Sequence, residues 1–286
     1  MTVRPASQPD ERRLSDQGLA IIAALVEART GQEIAPNRVW RVETALKPLL
    51  RGSGASSLDE FVSHVVAAAD GVLIDAVVDA ILNNETSFFR DAGVFDQVAE
   101  AARIRAQEAG GRMRIWSVGC STGQEPYSLA ILLAEKMGID DPAFPEILAT
   151  DVSAQALNRA RAATFSQFEI QRGMPVRRMV EWFEKRGEQW TAHPDLIRKV
   201  QFRRHNLASD PCPAGKFDLI LCRNLLFYFA PERRHRLFDR LAGVLANEGL
   251  LVLGAGETVI GQARGLVPSE RFRGFYCRAA EDAGRT

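Results

Sequence analysis

Apolar positions recur at a three-to-four spacing through most of the first 90 residues, and no stretch there needs to be a strand. Leu19, Ile22, Leu25 and Val26 follow this spacing, Arg29 continues the row, and Gly31 ends it as a helix-terminating glycine should. Pro36 and Asn37 open a second helix over Arg38 to Leu50. The loop Gly52-Ser53-Gly54 follows, Ser57 is placed to cap a helix over Leu58 to Ala69, and a fourth helix is expected over about Val72 to Leu82. From Met113 the period changes to alternating strands and helices. Strands are expected at Arg114–Val118, Ile147–Asp151, a stretch ending at Phe202, Phe217–Cys222, Leu250–Leu253 and Gly274–Arg278. Helices are expected at about Glu125–Met137, Ala154–Ala163 and Glu232–Leu245. Such alternation predicts an α/β domain with a doubly wound, mainly parallel sheet covered on both faces. Residues 166–199 interrupt it with polar sequence and turn signals at Arg172-Gly173 and His193-Pro194-Asp195, which predicts an excursion made of a helix and a small antiparallel element.

The chain has 286 residues, 46% of them hydrophobic, which is enough for one large domain or two unequal ones. Lys plus Arg and Asp plus Glu each number 36, so net charge gives no case for nucleic acid or an anionic membrane. The basic runs Arg203-Arg204-His205 and Arg233-Arg234-His235-Arg236 lack interleaved aromatics and read as solvated faces rather than a nucleic-acid footprint. No apolar run approaches the roughly 20 residues of a membrane span, and the first residues lack an apolar signal core. No membrane insertion is expected, and the cytoplasm is the expected location. Cys120, Cys212, Cys222 and Cys277 show no CxxC spacing and the four histidines are scattered, so buried thiols are expected rather than a metal site or disulfides.

Candidate chemistry begins where the first strand runs into Gly119-Cys120-Ser121-Thr122-Gly123 and then a helix. That turn lies at the carboxyl end of a strand, where ligands bind in this fold class, and glycine lets backbone approach a ligand closely. The spacing fits neither the dinucleotide fingerprint nor the phosphate loop, and no lysine follows. A nucleoside ligand without a pyrophosphate is therefore indicated. Asp151 ends the second strand, where a carboxylate either accepts hydrogen bonds from both ribose hydroxyls or caps the next helix, a task also open to Ser153. Glu125 opens the helix after the glycine loop, and either answers the helix dipole or meets a ligand cation such as the ammonium of a methionine moiety.

Four blocks carry a wider resemblance. They are Asn84-Glu85-Thr86-Ser87-Phe88-Phe89-Arg90; Trp116 through Ser128; Ala149-Thr150-Asp151 with Ala156-Leu157-Asn158-Arg159-Ala160; and Phe217 through Phe229, which contains Cys222-Arg223-Asn224 and Tyr228-Phe229. In order and over about Leu19 to Arg278, the chain resembles the chemotaxis-receptor methyltransferase family, CheR. The resemblance implies an S-adenosylmethionine-dependent protein-glutamate O-methyltransferase with a small helical N-terminal domain and linker (1–90, receptor recognition). A cofactor-binding catalytic domain (91–286) would follow, with a β-subdomain at about 166–200. It also implies residue roles. Asn84, Thr86 and Arg90 would face the cofactor, Gly119, Glu125 and Asp151 would bind it, and Asn206 and Leu207 would line the adenine. Arg223 and Asn224 would close the pocket, and Arg90 and Tyr228 would serve catalysis near the transferable methyl. The product would be S-adenosylhomocysteine and the partner the methylation helices of chemoreceptors.

The sequence departs from the family at Gln124, often glutamate in relatives, and at Gly254-Ala255-Gly256-Glu257, where many relatives have Gly-His-Ser-Glu. Glu43-Thr44-Ala45-Leu46-Lys47 thins the positive charge relatives carry on the second helix, leaving Arg38, Arg41, Lys47 and Arg51 as a weak basic face. The stretch Trp182 to Pro194 holds one glycine where tether-using relatives have a glycine-bearing loop, and Pro194 lacks an amide donor. No dependence on a receptor C-terminal pentapeptide is therefore expected. A glutamate of pKa about 4.3 is already an anion at neutral pH, which fits a chain with no Ser-His-Asp or Cys-His set. Arg90 would hold the carboxylate or instead form a domain-linking salt bridge, and Tyr228 would orient an oxygen or instead be an aromatic core residue. Two other readings stand beside this one: a cofactor-binding signalling module, and a methyltransferase acting on another protein.

Overall fold

A computed structural model describes residues 13–35, 39–108 and 112–279. The chain divides into two compact units, Met1–Asn83 and Asn84–Thr286. The first is helical: α1 (Asp16–Thr30), α2 (Val39–Ser53), α3 (Leu58–Ala68) and α4 (Gly71–Ile81). Ser15 caps α1 by accepting from the Gly18 amide, and Gly31 closes it at φ 76°. Ser57 caps α3 through the Glu60 amide, and Asp70 caps α4 through the Val72 amide. Ile22, Val26, Val42, Leu46, Phe61, Val65 and Val77 form the core these helices share. The expected start of the second helix at Pro36, Asn37 and Arg38 lies outside the described residues.

The second unit opens with an irregular segment and α5 (Ala92–Glu108), then follows β1 (Arg114–Val118), α6 (Gln124–Met137), β2 (Glu146–Asp151) and α7 (Ala154–Ala162). The excursion comprises β3 (Thr164–Ser166), α8 (Gln167–Gln171), α9 (Val176–Trp182), β4 (Phe183–Arg186), β5 (Gln189–Ala192) and α10 (Pro194–Arg198). The main sheet resumes with β6 (Val200–Arg204), β7 (Phe217–Cys222), α11 (Pro231–Val244), β8 (Leu245–Leu253), β9 (Leu266–Pro268) and β10 (Phe275–Arg278). Its strand order is β6-β2-β1-β7-β8-β10-β9. The first five strands run parallel, and β10 runs antiparallel to both β8 and β9. The chain winds outward from β1 in both directions, so β1 marks the point where strand order reverses. Among the described residues no helix is long and apolar enough to cross a membrane.

Helix α5 and strand β9 were not anticipated, and the excursion holds three short helices, α8, α9 and α10, where one was expected. Helix α5 buries Phe95, Val98 and mostly alanines (Ala99, Ala101, Ala102), a face with little hydropathic contrast. Strand β9 spans only three residues. Pro194 stands in the first turn of α10 and leaves the β-ladder untouched, unlike its expected place beside the strand.

Residues 84–90, expected with the helical domain, fall in the second unit. The reason is Phe88 and Phe89, which are buried in the same core as β1, α6 and the excursion. The Phe88 ring packs edge-on against Phe165 of β3 (centroids 4.9 Å apart) and Phe183 of β4 (5.5 Å). Gly173, at φ 94° between α8 and α9, lets the excursion press against this segment: a Cβ there would lie 2.0 Å from the Phe88 carbonyl oxygen. Gly187, in the β4–β5 turn at φ 61°, has nothing within 4 Å of the same construction. An alanine at either site bears the left-handed backbone cost of about 1–2 kcal/mol, but only Gly173→Ala adds a backbone clash. In urea unfolding Gly173→Ala is expected to lower the midpoint clearly more than Gly187→Ala. Equal shifts would refute the buttress.

Candidate functional site

Strand register assembles the site. Val118 stands opposite Thr150 on one side and Cys222 on the other, and Cys222 stands opposite Leu253. Asp151 stands opposite Arg204, whose neighbour His205 donates its amide to the Asp151 carbonyl at 2.9 Å. The residues just past or at these strand ends therefore form a row: His205-Asn206, Asp151, Gly119, Arg223-Asn224 and Gly254.

The glycine loop is held down by the amides of Gly119 and Cys120, which both donate to the Thr150 carbonyl (2.8 and 2.9 Å). Gly119 has φ 70°, and a Cβ there would lie 2.9 Å from a Leu225 methyl. The Asp151 carboxylate accepts from the Ser121 amide at 2.8 Å and the Ser153 amide at 2.9 Å. It thus ties the loop to the start of α7, while Ser153 itself caps that helix through the Ala156 amide. The Ser121 hydroxyl donates to the Asn84 carbonyl at 2.8 Å, which brings the 84–90 segment to the loop.

Glu125, in the first turn of α6, accepts from the Ser117 hydroxyl at 2.8 Å and from Arg223 Nη1 at 3.2 Å. Arg223 is the most constrained charge here, its side chain only 1% exposed. Its Nη2 donates to the Arg90 carbonyl at 2.9 Å and to the Asp91 carboxylate at 2.5 Å, and its guanidinium lies 5.4 Å from the Phe95 ring centre. Arg223 thus ties Glu125 to the 90–91 turn. Asp91, which sequence reading passed over, is a direct partner of this buried cation, 132 positions away in the chain. The Arg90 guanidinium is half-buried and makes no hydrogen bond or ion pair among the described residues. Thr86 is half-buried in the same segment.

The loop after β7 is fixed by Glu257, the other residue whose role sequence reading missed. Its carboxylate accepts from the amides of Asn224 (2.8 Å), Leu225 (2.9 Å), Leu226 (2.7 Å) and Gly254 (2.8 Å). Tyr228 ends the 3-10 turn Leu226–Tyr228 that follows, half-buried, its ring 4.3 Å from that of Phe227. On the far side of the row, Asn206 forms a local turn: its side-chain oxygen accepts from the Ala208 amide, and its own amide donates to Asp210. Leu207 is buried against the Trp116 and Val118 cluster. Burial pushes the His205 pKa below its ordinary value, although its ring bonds the Pro211 carbonyl. Burial pushes the Cys120 and Cys222 thiols well up, with carboxylates nearby adding to the effect, which leaves them un-ionised. No cluster of three or more His, Cys, Asp or Glu able to hold a metal occurs among the described residues.

Backbone geometry marks the same place. Of the non-glycine residues described with positive φ, Ala69 and Ala163 close helices, whereas Phe89 (46°), Asp91 (62°), Ser121 (50°) and Asn224 (56°) all lie in these loops. Left-handed backbone at such residues is costly and collects at functional sites. The donor set suits a nucleoside that carries an amino-acid cation. There is a carboxylate at a strand end able to meet hydroxyls, a second carboxylate at a helix start able to meet an ammonium, and close-approach glycine backbone.

The family model for the CheR methyltransferase SAM-binding domain matches residues 84–271. The chain is 34% identical over 245 residues to chemotaxis protein methyltransferase 1 of Pseudomonas aeruginosa, covering 84% of this chain and 89% of that protein. It is 33% identical over 251 residues to the chemotaxis protein methyltransferase of Vibrio parahaemolyticus, covering 87% and 91%. Among solved structures, an S-adenosylmethionine-dependent methyltransferase from Mesorhizobium loti aligns over 50% of this chain and 46% of its own, with 22% identity and a TM-score of 0.30.

The pairing of Arg223 leads to a direct test. Replacing it with methionine strands Glu125, whose side chain is 13% exposed, beside a second carboxylate. Asp91 is 41% exposed and keeps its water, so the cost should fall near the low end for a broken buried pair, about 3 kcal/mol. Arg223→Met should show this in urea unfolding, and a loss under about 0.5 kcal/mol would mean the cation is not structurally required.

Proposed function

The chain belongs to the CheR methyltransferase family, and on that premise we propose that it methyl-esterifies glutamate side chains on the methylation helices of chemoreceptors. It is a methyltransferase that uses S-adenosylmethionine. The observation that supports the fuller reading is the similarity to chemotaxis protein methyltransferases over 84–87% of this chain. The family match starts at Asn84 and takes in every candidate residue from Asn84 to Tyr228.

In this reading Asp151 accepts from the ribose hydroxyls, and Glu125, steadied by Arg223, meets the methionine ammonium. Gly119 lets the backbone pass close to the cofactor, and Asn84 and Thr86 flank it. Asn206 and Leu207 line the adenine, and Asn224 closes the pocket beside Arg223. When bound, S-adenosylmethionine supplies a methyl group on a sulfonium. The chain need not make a nucleophile, because a glutamate is already ionised at neutral pH. What remains is alignment and exclusion of water. Arg90, uncommitted within the described residues, holds the incoming carboxylate, and the Tyr228 hydroxyl orients one of its oxygens.

Receptor recognition is assigned to the helical unit. On α2, Trp40, Thr44, Lys47 and Arg51 fall on one helical stripe, and Trp40 is 65% exposed. Arg41 is turned to a structural use, donating to Asn83 at 2.8 Å, so among the described residues the basic face rests on Lys47 and Arg51. Within the basic runs elsewhere, Arg204 donates to the Val152 carbonyl and Arg234 to the Phe229 carbonyl, and Arg203, His235 and Arg236 are exposed. Nucleic acid is not a partner in this reading, and the cytoplasm, where methylation helices lie, is its site of action. The three-stranded sheet of the excursion, ordered β3-β5-β4, does present β4 as an edge. Its two-residue turn, Gly187-Glu188, and the Glu184–Arg186 ion pair along the edge disfavour an added strand. We therefore infer independence from a C-terminal receptor tether.

The deciding experiment is base-labile methyl incorporation into receptors from the same genome; none would refute the substrate class. Asp151→Ala, folded by circular dichroism, should weaken S-adenosylhomocysteine binding by about 1.5–3 kcal/mol in calorimetry, the range for a hydrogen bond to a charged group. Unchanged affinity would reject the ribose role. Arg90→Ala and Tyr228→Phe should each cut turnover more than tenfold with little change in melting. Rates within twofold, about 0.4 kcal/mol of barrier, would reject those roles.

Recognition has its own assay. Joint reversal of Lys47 and Arg51 to glutamate should raise the apparent Michaelis constant for receptor at low salt and not at high salt. Receptor pentapeptides ending in an aromatic residue and Phe should not bind. A micromolar Kd, about −8 kcal/mol, would overturn tether independence.

A further inference from the structure

Glu257 concentrates more backbone donors than any side chain at the site needs for solubility or pairing. One of its carboxylate oxygens takes the Leu225 and Leu226 amides, and the other takes those of Asn224 and Gly254. Three successive amides converge because Asn224 adopts φ 56° and the next residue returns to negative φ, which folds them into a concave nest of the kind that binds anions. Here the nest is filled from within the chain. A turn closed by the Glu257 amide and the Gly254 carbonyl, 2.9 Å apart, swings the carboxylate back over the end of β8. The fourth amide fits only because residue 254 is glycine: a Cβ there would lie 2.6 Å from Asn224 Nδ2 and 2.8 Å from the Asn224 amide nitrogen.

The nest leads straight to Tyr228. The Tyr228 amide donates to the Leu225 carbonyl at 3.1 Å and the Phe229 amide to the Leu226 carbonyl at 3.1 Å, so the tyrosine sits on a turn whose first residues Glu257 fixes. A single-turn 3-10 helix has little stability of its own. Its amino end is held by one carboxylate from the neighbouring strand's loop, while burial of Leu226 and Phe229 and the Arg234 bond to the Phe229 carbonyl hold its far side. We propose that Glu257 is a positioning residue for methyl transfer, acting as a built-in anion that sets Tyr228 against the reacting carboxylate. This rests on the assignment of Tyr228 made above.

The test is a double-mutant cycle in the full-length chain, at saturating S-adenosylmethionine and with receptor varied. Glu257→Gln keeps the shape, removes the charge and turns an amide donor toward two of the backbone donors. It should lower kcat at least tenfold with the Michaelis constant for receptor within about twofold. In a Tyr228→Phe background the same change should cost less than about threefold more, because the group it positions is already gone. Full kcat in Glu257→Gln, or an undiminished further loss in the Tyr228→Phe background, would overturn the proposal and leave Glu257 a general prop. If Glu257→Gln does not fold, Gly254→Ala, whose Cβ would lie 2.6 Å from Asn224 Nδ2 and 2.9 Å from a Glu257 carboxylate oxygen and so displaces the carboxylate while keeping its charge, is held to the same criteria. A silent Tyr228→Phe would sink the assignment of Tyr228 instead, and that outcome is read from the single variant alone.

Discussion

A guanidinium withdrawn from water must be answered by anions, and the organisation around Arg223 follows from that demand. Its side chain is 1% exposed. The answer comes from two segments far from it in sequence: Glu125 at the start of α6, and the 90–91 turn, which offers the Asp91 carboxylate and the Arg90 carbonyl. Breaking such a pair costs far more than forming it contributes, so the arrangement specifies geometry more than it adds stability. Two carboxylates face one guanidinium, which leaves the cluster negative and suited to a cofactor that carries positive charge on both its ammonium and its sulfonium.

Around this cation the backbone is bent into conformations that side chains resist. Phe89, Asp91, Ser121 and Asn224 each take left-handed φ, and each is over-determined by its neighbours. The Phe89 amide donates to the Ser128 hydroxyl, Asp91 is held by Arg223, Ser121 by Asp151, and Asn224 by Glu257. Strain of this kind persists only where surrounding structure enforces it. The rigid sheet supplies the enforcement, since the loops spring from strand ends held in register at Val118, Thr150, Cys222 and Leu253.

Much of this was legible in the chain because it is local. A change of period from helical to alternating announces the sheet, and a strand that ends in Asp151 or runs into Gly119 announces where a ligand meets it. The two carboxylates that organise the loops were not legible. Asp91 and Glu257 act across 132 and 31–33 positions, and no spacing rule connects them to their partners. Gly254-Ala255-Gly256-Glu257 drew notice for a histidine it lacks, whereas its glutamate does the holding. Helix α5 was missed because alanine buries well while giving little periodic contrast, and residues 84–90 were grouped with the helices before them because only the packed core shows where Phe88 goes.

The contact of Gly173 with Phe88 bears on how such a chain can diversify. The excursion's base is welded to the segment that carries Arg90, so length changes near α8 and α9 would be transmitted to the site. Its tip is different: Gly187 projects into open space, in a two-residue turn between exposed ends of β4 and β5. Exposed loop tips are where chains accept insertions. New partner-binding sequence would therefore be gained by lengthening this hairpin outward, and a fluorophore or grafted epitope placed there would ride on the protein without touching its chemistry.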